Sequence, residues 1–239
     1  MDGFPIGIAD TLTGQLPNSH GSGIAGFTNG KIDKPTRTGG VTLLEGLREF
    51  GLIPRSVVGI QLGRGTNGVP GTGQVTLGGA DPTKYLTGAG NLVRMANQDS
   101  TRYGLWAVHV AKINVNGQDV KSDVTATLDT GSNRIMVANG DAALYHNYPE
   151  AVKTPNGIYG VPCDHTKIPP MTFQIGSVVF TLNPIDIVGL KIGNGGYCYS
   201  LIQDLPAGRM RQILGIPFLK STYQILDSDA NEITLAKNA

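Results

Sequence analysis

The chain has little charge and no surplus of either sign. Over 239 residues, 19 Lys and Arg stand against 18 Asp and Glu, for a formal net charge of +1. No basic run occurs, and no stretch interleaves basic with aromatic residues, which argues against nucleic acid as a partner. No apolar stretch approaches the length needed to span a bilayer, so no membrane partner is expected. Long amphipathic helical periods are nearly missing, which leaves turns and short strands to build the fold. Only two cysteines are present, Cys163 and Cys198. By themselves they fit buried free thiols, the default in a reducing compartment. The opening Met1-Asp2-Gly3-Phe4-Pro5 has neither the basic start nor the apolar segment of a signal peptide, so the reading at this point is of a chain with no export signal.

What the chain does have is turn chemistry: 34 Gly and 14 Pro. Short alternating runs between such punctuation predict an all-β protein, long enough for one large or two modest domains with a real core. Two G-x-G-x-x-G matches, at residues 21–26 and 63–68, are neither preceded by a clear strand nor followed by a helix, so dinucleotide binding is rejected for both. The one clear helix is predicted over 42–51. There Thr42 and Glu45 fit a capping box, Leu43, Leu44, Leu47 and Phe50 form an apolar stripe expected to face the core, and Gly51 ends the run.

One stretch carries chemistry. The alternating run Val124-Thr-Ala-Thr-Leu128 enters Asp129-Thr130-Gly131-Ser132 and leaves through Ile135-Met-Val137, which sets a carboxylate in a tight turn between two strands that want burial. Gly131 lets backbone N–H groups approach the carboxylate, and the hydroxyls of Thr130 and Ser132 are expected to add hydrogen bonds to it. An ordinary β-turn has the same composition, so the flanking motifs have to decide.

They do so through a resemblance. Asp-Thr-Gly-Ser between apolar strands resembles the active-site turn of the pepsin-like aspartic peptidases. Residues 73–88, Gly-Gln-Val-Thr-Leu-Gly-Gly-Ala-Asp-Pro-Thr-Lys-Tyr-Leu-Thr-Gly, are similar to a second signature of that family, with Val75 and Leu77 alternating with polar residues. Ile213-Leu214-Gly215 matches its second Ile-Leu-Gly segment, and Gly23-Ile24-Ala25-Gly26 resembles the first, read as a buried strand or turn. Trp106–Val115 with the Asn116-Gly117 turn is similar to the first hairpin of the C-terminal lobe. His109 lies on the polar side of that hairpin and is read as an exposed strand residue.

The resemblance implies a bilobal pepsin-like β-barrel fold, with an incomplete N-terminal lobe over 1–100, a complete C-terminal lobe over 101–239 and a polar boundary near 97–104. It implies Asp129 as catalytic, supported by Thr130, Gly131 and Ser132 and by Ile213, Leu214 and Gly215 threading alongside. It also implies a Cys163–Cys198 disulfide. The alternative for the cysteines, a zinc site with His165, lacks a fourth ligand. The function implied is an aspartic endopeptidase that cleaves polypeptides with no cofactor or metal, in a secreted or vacuolar setting. Family enzymes use two Asp-Thr-Gly turns, one per lobe, and this sequence has one, so the expectation is a truncated chain that is inactive alone and requires a missing N-terminal segment in trans. Two other readings are weighed beside it: a non-catalytic pseudoenzyme or peptide-binding β module, and a homodimer pooling two Asp129 turns, against which the extra half-lobe argues, since it would occupy the place of the partner turn. Asp141 is expected to cap a short helix through Tyr145, and Asp227 to serve a turn.

Overall fold

The computed structural model describes residues 8–11, 23–29, 41–65, 71–99, 103–209 and 211–239. The opening five residues and parts of both G-x-G-x-x-G matches lie outside them. Among the described residues the elements are α1 (Leu43–Glu49), β1 (Val57–Gln61), β2 (Gln74–Leu77), β3 (Leu92–Ala96), β4 (Ala107–Val115), β5 (Gln118–Leu128), β6 (Ile135–Val137), α2 (Ala142–Tyr145), β7 (Val152–Lys153), β8 (Tyr159–Pro162), β9 (Met171–Ile175), β10 (Val178–Thr181), β11 (Val188–Lys191), β12 (Tyr197–Ser200), β13 (Ile202–Asp204), β14 (Gln212–Leu214), α3 (Ile216–Leu219), β15 (Thr222–Asp227) and β16 (Glu232–Lys237). The all-β expectation holds. The strands form three sheets, of five, seven and four strands, and among the described residues none of them closes into a barrel.

The five-stranded sheet runs β2-β1-β15-β16-β3. It joins strands from the first hundred residues to the C-terminal hairpin, with β1 antiparallel to β15 from Val57↔Asp227 to Gln61↔Tyr223. Val57, Val58, Gly59 and Ile60 are all buried, so β1 is covered on both faces rather than alternating. Gly59 is required there, because a Cβ at that position would sit 2.3 Å from the Tyr223 hydroxyl. That hydroxyl accepts the Asp81 N–H at 2.9 Å, and the Asp81 carboxylate accepts the Thr83 N–H at the start of a short 3₁₀ turn. The Gly-Gly-Ala-Asp run of residues 78–81 thus closes against a strand far away in sequence.

One apolar expectation is corrected in this part of the chain. The capping box of α1 forms, with the Thr42 N–H donating to Glu45 Oε2 at 2.8 Å. Of its apolar stripe, however, only Leu44 is buried, and Phe50 stands 48% exposed. In β2 the polar members lean inward while Val75 and Leu77 are 53% and 44% exposed. Alternation correctly marks a strand, but which face is buried depends on what packs against the sheet.

The seven-stranded sheet runs β10-β9-β4-β5-β14-β6-β13. Its β4–β5 hairpin turns at Asn116 and Gly117 with φ of 53° and 80°, the left-handed pair a tight hairpin needs. His109 is exposed, 3.4 Å from Asp123. Under the sheet, Phe173 and Phe180 meet Phe218 of α3 edge-on, with ring centroids 5.3 and 6.2 Å apart. The helix at 142–145 forms with Asp141 before it, but Asp141 does not cap it. Its carboxylate pairs with Lys121 at 2.9 Å, while Asp204 accepts the Gly140 and Ala142 N–H groups at 2.9 Å each.

In the four-stranded sheet, β11-β12-β8-β7, Cys163 just after β8 is bonded to Cys198 of β12, as the resemblance implied. Closing a loop of 35 residues stabilises the fold by roughly 3–4 kcal/mol in the chain-entropy treatment. Residues 97–99 and 103–107 form a hydrogen-bonded joint. Asn97 donates through Nδ2 to the Leu105 carbonyl at 2.9 Å and accepts the Ala107 N–H through Oδ1 at 2.9 Å. Its own N–H reaches the Asn231 carbonyl at 3.0 Å.

Candidate active site

Asp129 follows the last residue of β5, and six residues later the chain resumes as β6. These two strands do not bond each other. β14 lies between them, parallel to β5 with Leu214 opposite Leu128, and antiparallel to β6 with Leu214 opposite Ile135. The turn is therefore pinned to the inserted strand. Asp129 N–H donates to the Leu214 carbonyl at 3.2 Å, and Ile216 N–H donates to the Ser132 carbonyl at 2.8 Å. Gly215 makes this approach sterically feasible: a Cβ there would lie 2.2 Å from the Arg134 carbonyl oxygen and 2.4 Å from that of Ser132. Ile213, Leu214 and Gly215 thus sit directly beside the Asp129 turn.

Within the turn, Asp129 Oδ1 accepts the Gly131 N–H at 2.9 Å. The two hydroxyls do not act as expected. Ser132 Oγ donates to the Arg134 carbonyl at 3.3 Å, and Thr130 is exposed with no hydroxyl partner among the described residues. Asp129 itself is half-buried, and among the described residues Oδ2 has no protein partner and no cation pairs with the carboxylate. One oxygen is held and the other is left open.

Two cavities meet at this carboxylate. One, of about 450 Å³, is walled by Phe27, Ile60, Trp106 and Leu219. The other, of about 920 Å³, is walled by Tyr103, Met136, Leu205, Arg209 and Arg211. Among the described residues Asp129 is the one carboxylate that lines either. The segment 23–29, expected as a buried strand or turn, has no regular structure and is mostly exposed, with Ile24 at 85%. It covers the smaller cavity and is tied down by Trp106, whose Nε1–H donates to the Phe27 carbonyl at 2.6 Å. Trp106 also accepts the Leu128 N–H through its carbonyl at 2.7 Å, so it links that segment to the strand bearing Asp129. Sequence reading placed Trp106 on a hairpin strand without its tie to segment 23–29, and missed Arg209 and Arg211. The one usable signal was a lone tryptophan opening the strand that pairs with β5.

With this geometry in hand, the chain matches the family described as eukaryotic aspartyl protease over residues 3–238. It belongs to that family. Rhizopuspepsin-1 of Rhizopus niveus is 30% identical over 82% of the chain and 47% of its own length. A probable aspartic-type endopeptidase CTSD of Arthroderma benhamiae is 30% identical over 97% of the chain and 44% of its own length. For rhizopuspepsin of Rhizopus chinensis the figures are 28%, 99% and 57%. The aspartyl protease chain described here thus spans about half the length of these relatives. Among its described residues, no helix is long and apolar enough to cross a membrane.

Proposed function

We propose that this chain supplies one of the two carboxylates of an aspartic endopeptidase that hydrolyses polypeptides. The observation carrying the proposal is Asp129 itself, with one oxygen anchored to Gly131 N–H, the other open, on a turn pinned by β14 at the meeting of two cavities. Two carboxylates a few ångströms apart cannot both ionise, so their proton affinities split. The ionised one takes a proton from water as that water attacks the scissile carbonyl. The protonated one donates to the carbonyl oxygen; as the tetrahedral intermediate collapses, the proton taken from water passes to the departing nitrogen, which leaves as the amine, and the second carboxylate takes its proton back from the intermediate's hydroxyl. A lone carboxylate has no such partner. We therefore read residues 1–239 by themselves as catalytically silent, with a segment carrying the second carboxylate completing the site in trans. Thr130, Gly131, Ser132, Ile213, Leu214 and Gly215 serve as its positioning residues.

In the same reading the chain divides into a partial lobe, 1–100, and a full one, 101–239, with the C-terminal hairpin bridging back to the first. The disulfide supports a secreted or vacuolar setting, since such bonds persist in oxidising compartments. The test is cleavage of a fluorogenic peptide at acidic pH. The chain alone is expected to leave it intact, and a polypeptide that adds a second Asp-Thr-Gly lobe is expected to cleave it and to lose that activity on Asp129→Asn. Cleavage by the chain alone that Asp129→Asn abolishes would refute the silence. Activity of the two-lobed protein that survives Asp129→Asn would refute the catalytic role.

A further inference from the structure

We propose that the larger cavity beside Asp129 binds a carboxylate carried by the polypeptide in the cleft, with Arg209 and Arg211 as the specificity-determining residues. This rests on the reading of the site as a peptide cleft. Four of the other five described arginines, Arg48, Arg55, Arg64 and Arg94, each hold an Asp or Glu as an ion-pair partner. Arg209 and Arg211 have none among the described residues, although both line the cavity. The cavity wall thus carries two cations against the single carboxylate of Asp129.

Arg211 is also preorganised. Its guanidinium carbon lies 4.8 Å from the centre of the Tyr103 ring. Stacking occupies the flat face of a guanidinium and leaves its N–H edges open, the geometry that accepts a carboxylate through two parallel hydrogen bonds. Met136, Leu205, Pro206 and Ile213 of the same cavity offer an apolar wall to a methylene stem. One ring-stacked cation and a second, unpaired one beside an apolar wall fit an acidic side chain or the terminal carboxylate of a peptide. They disfavour a basic side chain, which would meet like charge at both arginines.

The experiment is calorimetric titration of the 239-residue chain with apolar heptapeptides, acetylated and amidated, identical except for Glu or Gln at one scanned position. A further arm uses the Gln peptide with a free C-terminal carboxylate. Binding reads recognition separately from cleavage. At one position the Glu peptide, or else the free-carboxylate peptide, is expected to bind about tenfold tighter than the neutral one, the scale of one charge-assisted hydrogen-bonded pair. Which arm shows the gain identifies the source of the carboxylate. The gain should shrink in Arg211→Gln, shrink less in Arg211→Lys, which keeps the charge but loses the fork, and vanish in the Arg209→Gln/Arg211→Gln double variant. Arg211 is exposed, and matching melting temperatures of both variants check that the fold is intact. Equal binding of charged and neutral peptides overturns the inference and leaves the cleft reading standing, as does a gain that survives the Arg209→Gln/Arg211→Gln double variant. Failure of every peptide to bind overturns both.

Discussion

Acid should loosen this fold at one identifiable place. His146 is buried at the end of α2, with Nδ1 2.6 Å from the Ala142 carbonyl, Nε2 2.8 Å from Ser200 Oγ, and its ring stacked on Tyr159 at 4.5 Å. A carbonyl only accepts, so Nδ1 carries the proton and Nε2 accepts from the serine hydroxyl, whose oxygen in turn accepts the Ile202 N–H at 3.0 Å. The neutral ring is saturated. A second proton on it would force Ser200 to turn its own proton away and would place a charge beside a ring that Lys153 already approaches at 4.8 Å. Burial lowers the His146 pKa from 6.5 to about 4, against the Ala142 carbonyl and the Asp204 charge, which pull the other way.

The folded state therefore resists a proton that the unfolded chain accepts. Stability from this group is full above about pH 7 and is lost as the pH falls from 6.5 towards 4. Each pH unit is worth about 1.4 kcal/mol, so the loss across that window is about 3 kcal/mol. Asp81, Asp119 and Asp164 also have lowered pKa values, chiefly through hydrogen bonds from Thr83, Lys112 and Thr166. Their contributions begin to fade only near and below 3.8, a separate window. Urea denaturation of wild type and His146→Gln at half-unit steps from pH 7.5 to 4 should show midpoints that diverge in their pH dependence, the glutamine variant lacking the fall. Parallel pH profiles of the two proteins would refute the assignment of this titration to His146.

Gly215→Ala is expected to destabilise by about 3 kcal/mol, because two carbonyl oxygens occupy the space of the new methyl; urea melts check it, and an unchanged midpoint contradicts the threading of β14. Asp129→Asn should change stability by less than about 1 kcal/mol, since an amide oxygen still accepts the Gly131 N–H. Replacing Cys163 and Cys198 together by serine should remove roughly 3–4 kcal/mol, measured against the parent under non-reducing conditions. Tyr223→Phe leaves the Asp81 N–H without its acceptor and should lower stability by about 1–2 kcal/mol, again read from the urea midpoint.

Much of the architecture was legible because it is local. The capping box at Thr42 and Glu45, the Asn116-Gly117 hairpin and the Asp-Thr-Gly turn are each written within a few residues, and local backbone preferences act over that range. The pairing of Cys163 with Cys198 was not legible from spacing and came only with the family resemblance.

The sequence by itself determined an all-β chain with one carboxylate in a tight glycine turn between apolar strands. Tertiary structure alone decided the partners. It joined β1 to β15 across more than a hundred and fifty residues, turned Val75 and Leu77 outward, gave the α2 amides to Asp204 rather than Asp141, and brought Arg209 and Arg211 to the cavity of Asp129. The reason is physical. Alternation and turn residues specify a strand and its ends, but the covered face and the groups that meet are set by whatever distant surface packs against it, and no local pattern encodes that surface.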